Sequence, residues 1–239
     1  MSRRPSEARR KGQPEAGELA DLTIRAERPE DEPRVRAVAA EAFESAERSA
    51  PPVDATGEPG EVRLVEWLRE SDAVDPDLSL VADADGEVLG HVMLSRGDLE
   101  SDEAPAAGTG STSAQEPGAG DDPVAALGLG PVSVRPDVQG RGVGSALVSE
   151  ALVRASGFGY DVVCVLGDAT WYRRFGFLPA AELGIGSPDP AWGSAFQAVR
   201  LGDTPEEGWP RLGVFRYAEP FARLEAAAAR ETHGTARPR

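Results

Sequence analysis

A chain of 239 residues with 40% apolar composition can fold one domain of ordinary size with flexible segments beside it. Its formal charge of −16 excludes the basic surface that nucleic-acid binding requires, and no apolar run approaches the roughly 18–20 residues that span a bilayer. Cys164 is the only cysteine, so no intramolecular disulfide forms, which suits a reducing cytoplasm; in the apolar run 162–166 it reads as a buried structural thiol.

Residues 1–20 are polar, mixed in charge and poor in apolar side chains, and read as a disordered tail; their basic start has no apolar stretch behind it and is not a secretory signal. Leu22–Ala26 forms a first short strand. Pro29, Glu30, Asp31 and Glu32 open a helix, with Val35, Val38, Ala39, Ala42 and Phe43 at helical spacing. After a Pro- and Gly-containing loop over 49–60, Val62, Leu64, Val65, Trp67 and Leu68 predict a second helix ending near Ser71. Leu78–Ala82 and Glu87–Leu94 form a hairpin about the Asp85-Gly86 turn. His91 alternates with apolar neighbours there and reads as structural; it has no companions at metal-ligand spacing, so no metal site is expected.

Residues 98–122 carry seven acidic side chains and no basic one, among Gly, Ala, Ser and Pro. The segment reads as a disordered acidic insertion between two strands, with a lid over a substrate as the sharper alternative. The acidity elsewhere attracts a cationic acceptor such as an amine, or reflects only solubility and a compositional bias in which Lys11 is the single lysine.

Leu127–Leu147 is the informative stretch. An apolar strand (Leu127, Leu129, Val132, Val134) turns at Arg135-Pro136-Asp137, crosses Gln139-Gly140-Arg141-Gly142-Val143-Gly144 and enters a helix running to about Ala155. Glycines there let the backbone tighten and present its N–H groups at a helix N-terminus, where the dipole favours an anion. The spacing lacks the two-residue gap of GxGxxG and the Gly-Lys-Ser/Thr ending of a phosphate-binding P-loop. Tyr160–Leu166 is a strand covered on both faces. Asp168 caps a short helix through Tyr172 that Gly176 ends, Phe177–Ala180 begins another strand, Ala195–Leu201 is a clear later strand, and Phe215–Tyr217 adds an extended segment. From 219 the chain reads as a C-terminal tail, which from about 224 is an Ala-rich frayed helix and then polar and disordered. The order gives a single-domain mixed α/β (α+β) sheet over 21–218, not a doubly wound parallel one.

The pattern Gln139-x-x-Gly142-x-Gly144 after a strand resembles the (Gln/Arg)-x-x-Gly-x-(Gly/Ala) signature of the GCN5-related N-acetyltransferases (GNAT), and Tyr172-Arg173-Arg174-Phe175-Gly176-Phe177 resembles the family's Tyr-x-x-x-Gly-Phe element. Together, GLGPVSVRPDVQGRGVGSALV and LGDATWYRRFGFLPA are most similar to the bacterial YhbS-like acetyltransferases. The resemblance implies the GNAT acyl-CoA N-acyltransferase fold and acetyl transfer from acetyl-CoA, as cosubstrate, to a primary amine by direct attack. It assigns pantetheine and carbonyl contacts to the backbone at Val132, Ser133 and Val134. The pyrophosphate falls to the amides of Gln139, Gly140, Arg141, Gly142, Val143 and Gly144, with Arg141 at its rim and Ser145 donating from the first helical turn. Tyr172 is the candidate general acid for the leaving thiolate, packing against the cosubstrate being the alternative; Trp171 is a packing residue. Arg173 and Arg174 either approach phosphates or are exposed charge. No carboxylate lies in Leu127–Val134 to serve as the general base that some relatives place there, so no base is named. That gap motivates the alternative of an acyl-CoA-binding sensor without turnover; another acyl donor or a hydroxyl acceptor is the alternative among enzymes. Monomer and homodimer both stay open.

Overall fold

The computed structural model describes residues 22–44, 46, 49–100, 124–202 and 213–234. Its frame is one sheet, entered by β1 (Thr23–Ala26), followed by α1 (Glu32–Glu44) and α2 (Gly60–Glu70). β2 (Ser79–Ala84) and β3 (Glu87–Glu100) form the expected hairpin, with Asp85 and Gly86 both at positive φ (53° and 82°), the geometry that matches strand twist. β4 (Ala126–Val134), α3 (Val143–Gly157), β5 (Val162–Leu166) and α4 (Ala169–Tyr172) follow. They lead to the short β6 (Leu178–Pro179) and β7 (Ile185–Gly186), then β8 (Phe196–Arg200), β9 (Gly213–Arg216) and α5 (Glu219–Gly234).

The main strand order is β1-β2-β3-β4-β5-β8-β6. Only β4 and β5 run parallel along it. The two sheet faces are covered by different helices, and the sequence period sets which side chains go where. Leu80, Ala82, Val92 and Leu94 pack with Val143, Leu147 and Val148 of α3. Val81 and Met93 pack with Val35 and Val38 of α1 and Leu64, Val65 and Leu68 of α2. Among the described residues no helix is long and apolar enough to cross a membrane.

Two boundaries differ from the sequence reading. Asp98, Leu99 and Glu100 are the end of β3, paired with Arg216, Phe215 and Val214 of β9, so the acidic insertion begins later than 98. Its remainder, 101–122, lies outside the described residues, as does the 1–20 tail. The segment from 219 is not a tail: α5 packs Phe221 and Leu224 against the α1–α2 core. Its alanines hid this, because the contact rests on two larger side chains and on Gly60, where a Cβ would stand 2.7 Å from Leu224 Cδ1.

Arg25 ties the sheet edge to the start of α1. Its guanidinium donates to both Asp31 carboxylate oxygens (2.6 and 2.9 Å) and to Asp83 Oδ2 (2.7 Å), while Asp31 also accepts from the Arg28 N–H. The hydrogen bonds from Arg25 hold the buried Asp31 carboxyl below its ordinary range. Because the folded-state pKa is depressed, this stabilisation is present above the unfolded value and is lost as pH falls through the folded one. Asp31→Ala should lower unfolding free energy by about 2 kcal/mol at pH 7. Urea titrations should show the native–variant difference shrinking as pH falls below about 4.

Candidate active site

The parallel pairing of β4 with β5 stops early. It joins Ala126, Leu127 and Gly128 to Val162, Val163 and Cys164, and no further. β4 continues to Val134 along β3, so beyond Gly128 its β5-facing edge is open. Between the Leu94–Leu129 and Val92–Val132 pairs, one β3 residue faces two of β4, a bulge at Gly130-Pro131 that bends the strand at the opening. Two clefts flank this divergence.

The larger cleft, about 590 Å³, is lined by Val132 and Val134 of β4, by Gln139, Gly140, Gly142, Gly144 and Ser145 of the glycine loop, and by Trp171, Tyr172 and Arg174. The end of α1, through Phe43, completes its wall. Gly140 and Gly142 sit at φ 75° and 93°, and a Cβ added at either would meet nothing within 4 Å, so both turns need glycine for conformation rather than space. Gly142 is the N-cap of α3 and supplies no side-chain acceptor. The first-turn N–H groups of Val143, Gly144 and Ser145 therefore have no capping side chain at the cleft, which makes an anion site.

The predicted residues divide in a regular way. Val132, Val134, Gln139, Gly140, Gly142, Gly144, Ser145 and Tyr172 come together in the cleft. Ser133, opposite His91 in register, turns its side chain into the protein, leaving only its backbone at the open edge. The Val143 side chain is buried in the core, and Arg141 is exposed outside the cleft wall. Gln139 has an unforeseen part: its Nε2 donates to the Val134 carbonyl at 3.0 Å and ties the loop to the end of β4.

Tyr172 stands where the two clefts meet and lines both. Asp168 caps α4 by accepting from the Thr170 N–H at 2.8 Å, which starts the helix that carries the ring. The ring packs edge-on to Trp171 and Phe177, with centroids at 4.7 and 5.4 Å. It also rests on Gly167, where a Cβ would stand 2.4 Å from Cε2. Burial pushes the phenol pKa well above its ordinary value, so the hydroxyl keeps its proton at neutral pH. Arg174 lines the larger cleft and lies over the Trp171 ring, while Arg173 is exposed.

The second cavity, about 330 Å³, shares Phe43, Val132 and Tyr172 with the first. Its other walls are Leu64, Leu129, Leu166, Trp192, Tyr217, Phe221 and Leu224, with Glu61 inside and the exposed Glu225 at its edge. Sequence reasoning missed this group. Glu61 looks like any acid in a first helical turn, and the aromatic residues come from four separate segments.

Two other polar groups are structural. His91 is fully buried, with Nε2 at 3.0 Å from Ser79 Oγ and 3.4 Å from Glu27 Oε2, away from both clefts. Burial alone would raise the Glu27 carboxyl, but His91, Ser79 and Arg69 outweigh it and hold it near about 2. Cys164 is buried, and desolvation pushes its thiol pKa up, away from nucleophilic use. Among the described residues no cluster of His, Cys, Asp or Glu is placed to hold a metal ion.

Comparison with known proteins places these motifs. Residues 75–179 match the family model of the acetyltransferase (GNAT) domain. The N-acetyltransferase YhbS of Escherichia coli is 32% identical over 204 residues, covering 85% of this chain and 100% of the relative. The crystal structure of E. coli YhbS in complex with CoA is similar at TM-score 0.64, over 85% of this chain and 93% of that one. That of a GNAT family acetyltransferase from Brucella melitensis in complex with acetyl-CoA is similar at TM-score 0.56 and 31% identity, over 84% and 97%.

The seat of Tyr172 is testable through Gly167. Gly167→Ala should cost about 1–3 kcal/mol in urea unfolding because the methyl group displaces a packed ring. Gly157→Ala, in helical backbone with open space around its Cβ, should instead be neutral or stabilising by up to about 1 kcal/mol.

Proposed function

The chain belongs to the GNAT family of acetyltransferases, and on that premise we propose that its larger cleft takes acetyl-CoA and its second cavity takes the amine. The activity is acetyl-CoA-dependent N-acetyl transfer. One observation carries the reading: two motifs far apart in the chain, the glycine loop and the Tyr172 helix, meet at the gap between β4 and β5.

The residues fit the cosubstrate's chemistry. The uncapped N–H groups at Gly142–Ser145, with that of Gly140, hold the pyrophosphate, and the positive end of α3 adds to them; those of Gln139 and Arg141 are turned to the Pro136 and Val138 carbonyls at 3.4 Å and join only if these long bonds open. The open edge of β4 at Val132, Ser133 and Val134 pairs with the amide-bearing pantetheine arm, as an added strand would. The acetyl group then lies at the divergence beside Tyr172, with the amine approaching from the other side. The amine nitrogen attacks the thioester carbonyl carbon, the C–N bond forms and the C–S bond breaks. The departing thiolate takes a proton from the Tyr172 hydroxyl, which the nitrogen's proton restores. A buried phenol keeps the proton it donates, and because the thiol has the lower ordinary pKa, transfer to sulfur runs in concert with return of the nitrogen's proton to the phenol oxygen. Much of the acceleration comes from holding the two reactants in adjoining clefts.

The missing β4 carboxylate favours a sensor without turnover, and the Tyr172 hydroxyl at the meeting of the two clefts weighs against it. A cytoplasmic setting is supported by a chain whose single cysteine can form no internal disulfide.

Two variants test the assignment. Ser145→Glu adds a carboxylate to the first turn of α3, which the helix dipole tolerates or favours. Calorimetry should show acetyl-CoA affinity falling about tenfold or more, with melting temperature unchanged or raised. Tyr172→Phe should retain acetyl-CoA binding within about twofold while the transfer rate falls by about 10²-fold or more. Unchanged transfer would remove Tyr172 as the acid.

A further inference from the structure

Glu61 occupies a position that its own surroundings do not complete. It is only 8% exposed at the start of α2, and it faces the second cavity. Its partners are neutral: Oε1 accepts from the Ala50 N–H at 2.6 Å and Oε2 from Ser49 Oγ at 3.0 Å. The neighbouring arginines are used elsewhere, Arg36 by Glu58 and Glu66, and Arg63 by Glu66 and Asp54. Among the described residues no cation forms an ion pair with Glu61. A buried carboxylate is costly without a countercharge, and the cavity is where one can enter.

The remaining walls define what that cation is attached to. Phe43, Leu64, Leu129, Trp192, Phe221 and Leu224 are apolar, and five rings (Phe43, Tyr172, Trp192, Tyr217 and Phe221) face a space of about 330 Å³. Tyr217 adds a buried hydroxyl that lies near the Leu166 backbone without a hydrogen bond of good geometry. Such a cavity fits a benzene ring and a short alkyl arm. A polyamine's second ammonium would find only the exposed Glu225 at the cavity edge, where an ion pair adds little, and an amino sugar would strand its hydroxyls against the apolar walls. We propose that the acceptor is a small primary amine on an aromatic or apolar body, its ammonium group anchored by Glu61 and losing one proton to solvent at the cavity mouth before the nitrogen attacks. This rests on the acetyltransferase reading for the second cavity's role, and Glu61 acts as a specificity and positioning residue.

Phenethylamine, putrescine, glucosamine and a lysine-containing peptide serve as probes, with acetyl transfer followed by thiol release. Phenethylamine should show a kcat/KM about tenfold or more above the others. Glu61→Gln should raise its KM about tenfold or more, with acetyl-CoA affinity held within about twofold. Ser49→Ala removes one strut of the Glu61 carboxylate without entering the cavity. It should lower the melting temperature and leave KM within about twofold, so that a KM rise in Glu61→Gln cannot be put down to lost stability; KM rising equally in both variants would mark Glu61 as structural and overturn the inference. Preference for putrescine, glucosamine or the peptide, or an unchanged KM in Glu61→Gln, overturns the inference and leaves the acetyltransferase reading intact. Direct calorimetric titration with phenethylamine reads the cavity without turnover. Amine binding that Glu61→Gln abolishes, in a protein that does not bind acetyl-CoA, retains the inference about the ligand and overturns the acetyltransferase reading. Failure to bind either compound overturns both.

Discussion

The structure depends on β4 and β5 being held together for three residue pairs and then kept apart. Parallel strands ordinarily continue pairing as long as both have free backbone groups, so the gap needs a cause. Two aromatic rings pack over glycines at its edges, and a bulge bends β4 away. Tyr217 lies on Gly128, the last paired residue of β4, where a Cβ would come within 2.6 Å of its ring. Tyr172 lies on Gly167, just past the end of β5. The bulge at Gly130-Pro131 turns β4 away, and Pro131 has no N–H to offer a ladder. The open edge is thus a product of packing.

Charge is arranged across this gap in two unlike ends. On one side the uncapped N-terminus of α3 offers backbone donors to an anion; on the other, Glu61 offers a buried carboxylate to a cation. Between them Tyr172 sits in a desolvated ring cluster where the neutral phenol is favoured. An anionic cosubstrate and a cationic acceptor would be pulled to opposite mouths and meet at Tyr172. The net acidity of the chain does not conflict with anion binding, because the anion meets oriented backbone N–H groups rather than the mean surface potential.

What could be read from the sequence was local. The glycine loop, the Asp168 cap and the ring of Tyr172 are contiguous signals whose geometry follows from neighbouring residues, and they fall where their pattern puts them. Glu61, Tyr217 and the docking of α5 carry no such signal. Glu61 acquires its character from residues 49–50, Tyr217 from the distant Gly128, and α5 from the pocket that Gly60 leaves for Leu224. Likewise Asp98–Glu100 look like the first residues of an acidic low-complexity run, and only their pairing with β9 makes them strand. Tertiary contact decides these cases, and local composition misleads.

A further regularity explains why the site presents donors. Open backbone at the end of a strand exposes carbonyls as readily as N–H groups, and carbonyls would repel a pyrophosphate or a developing oxyanion. Here side chains occupy the carbonyls nearest both motifs. Gln139 takes the Val134 carbonyl at the end of β4, and Gln197 takes that of Gly167 at the end of β5, at 3.2 Å. Arg135 is itself braced by Asp137 and Glu87, fixing the turn from which the glycine loop departs. The two glutamines do equivalent work on the two strands. Each occupies the carbonyl at the end of its strand, so neither oxygen is left to repel an anion or a developing oxyanion beside the gap.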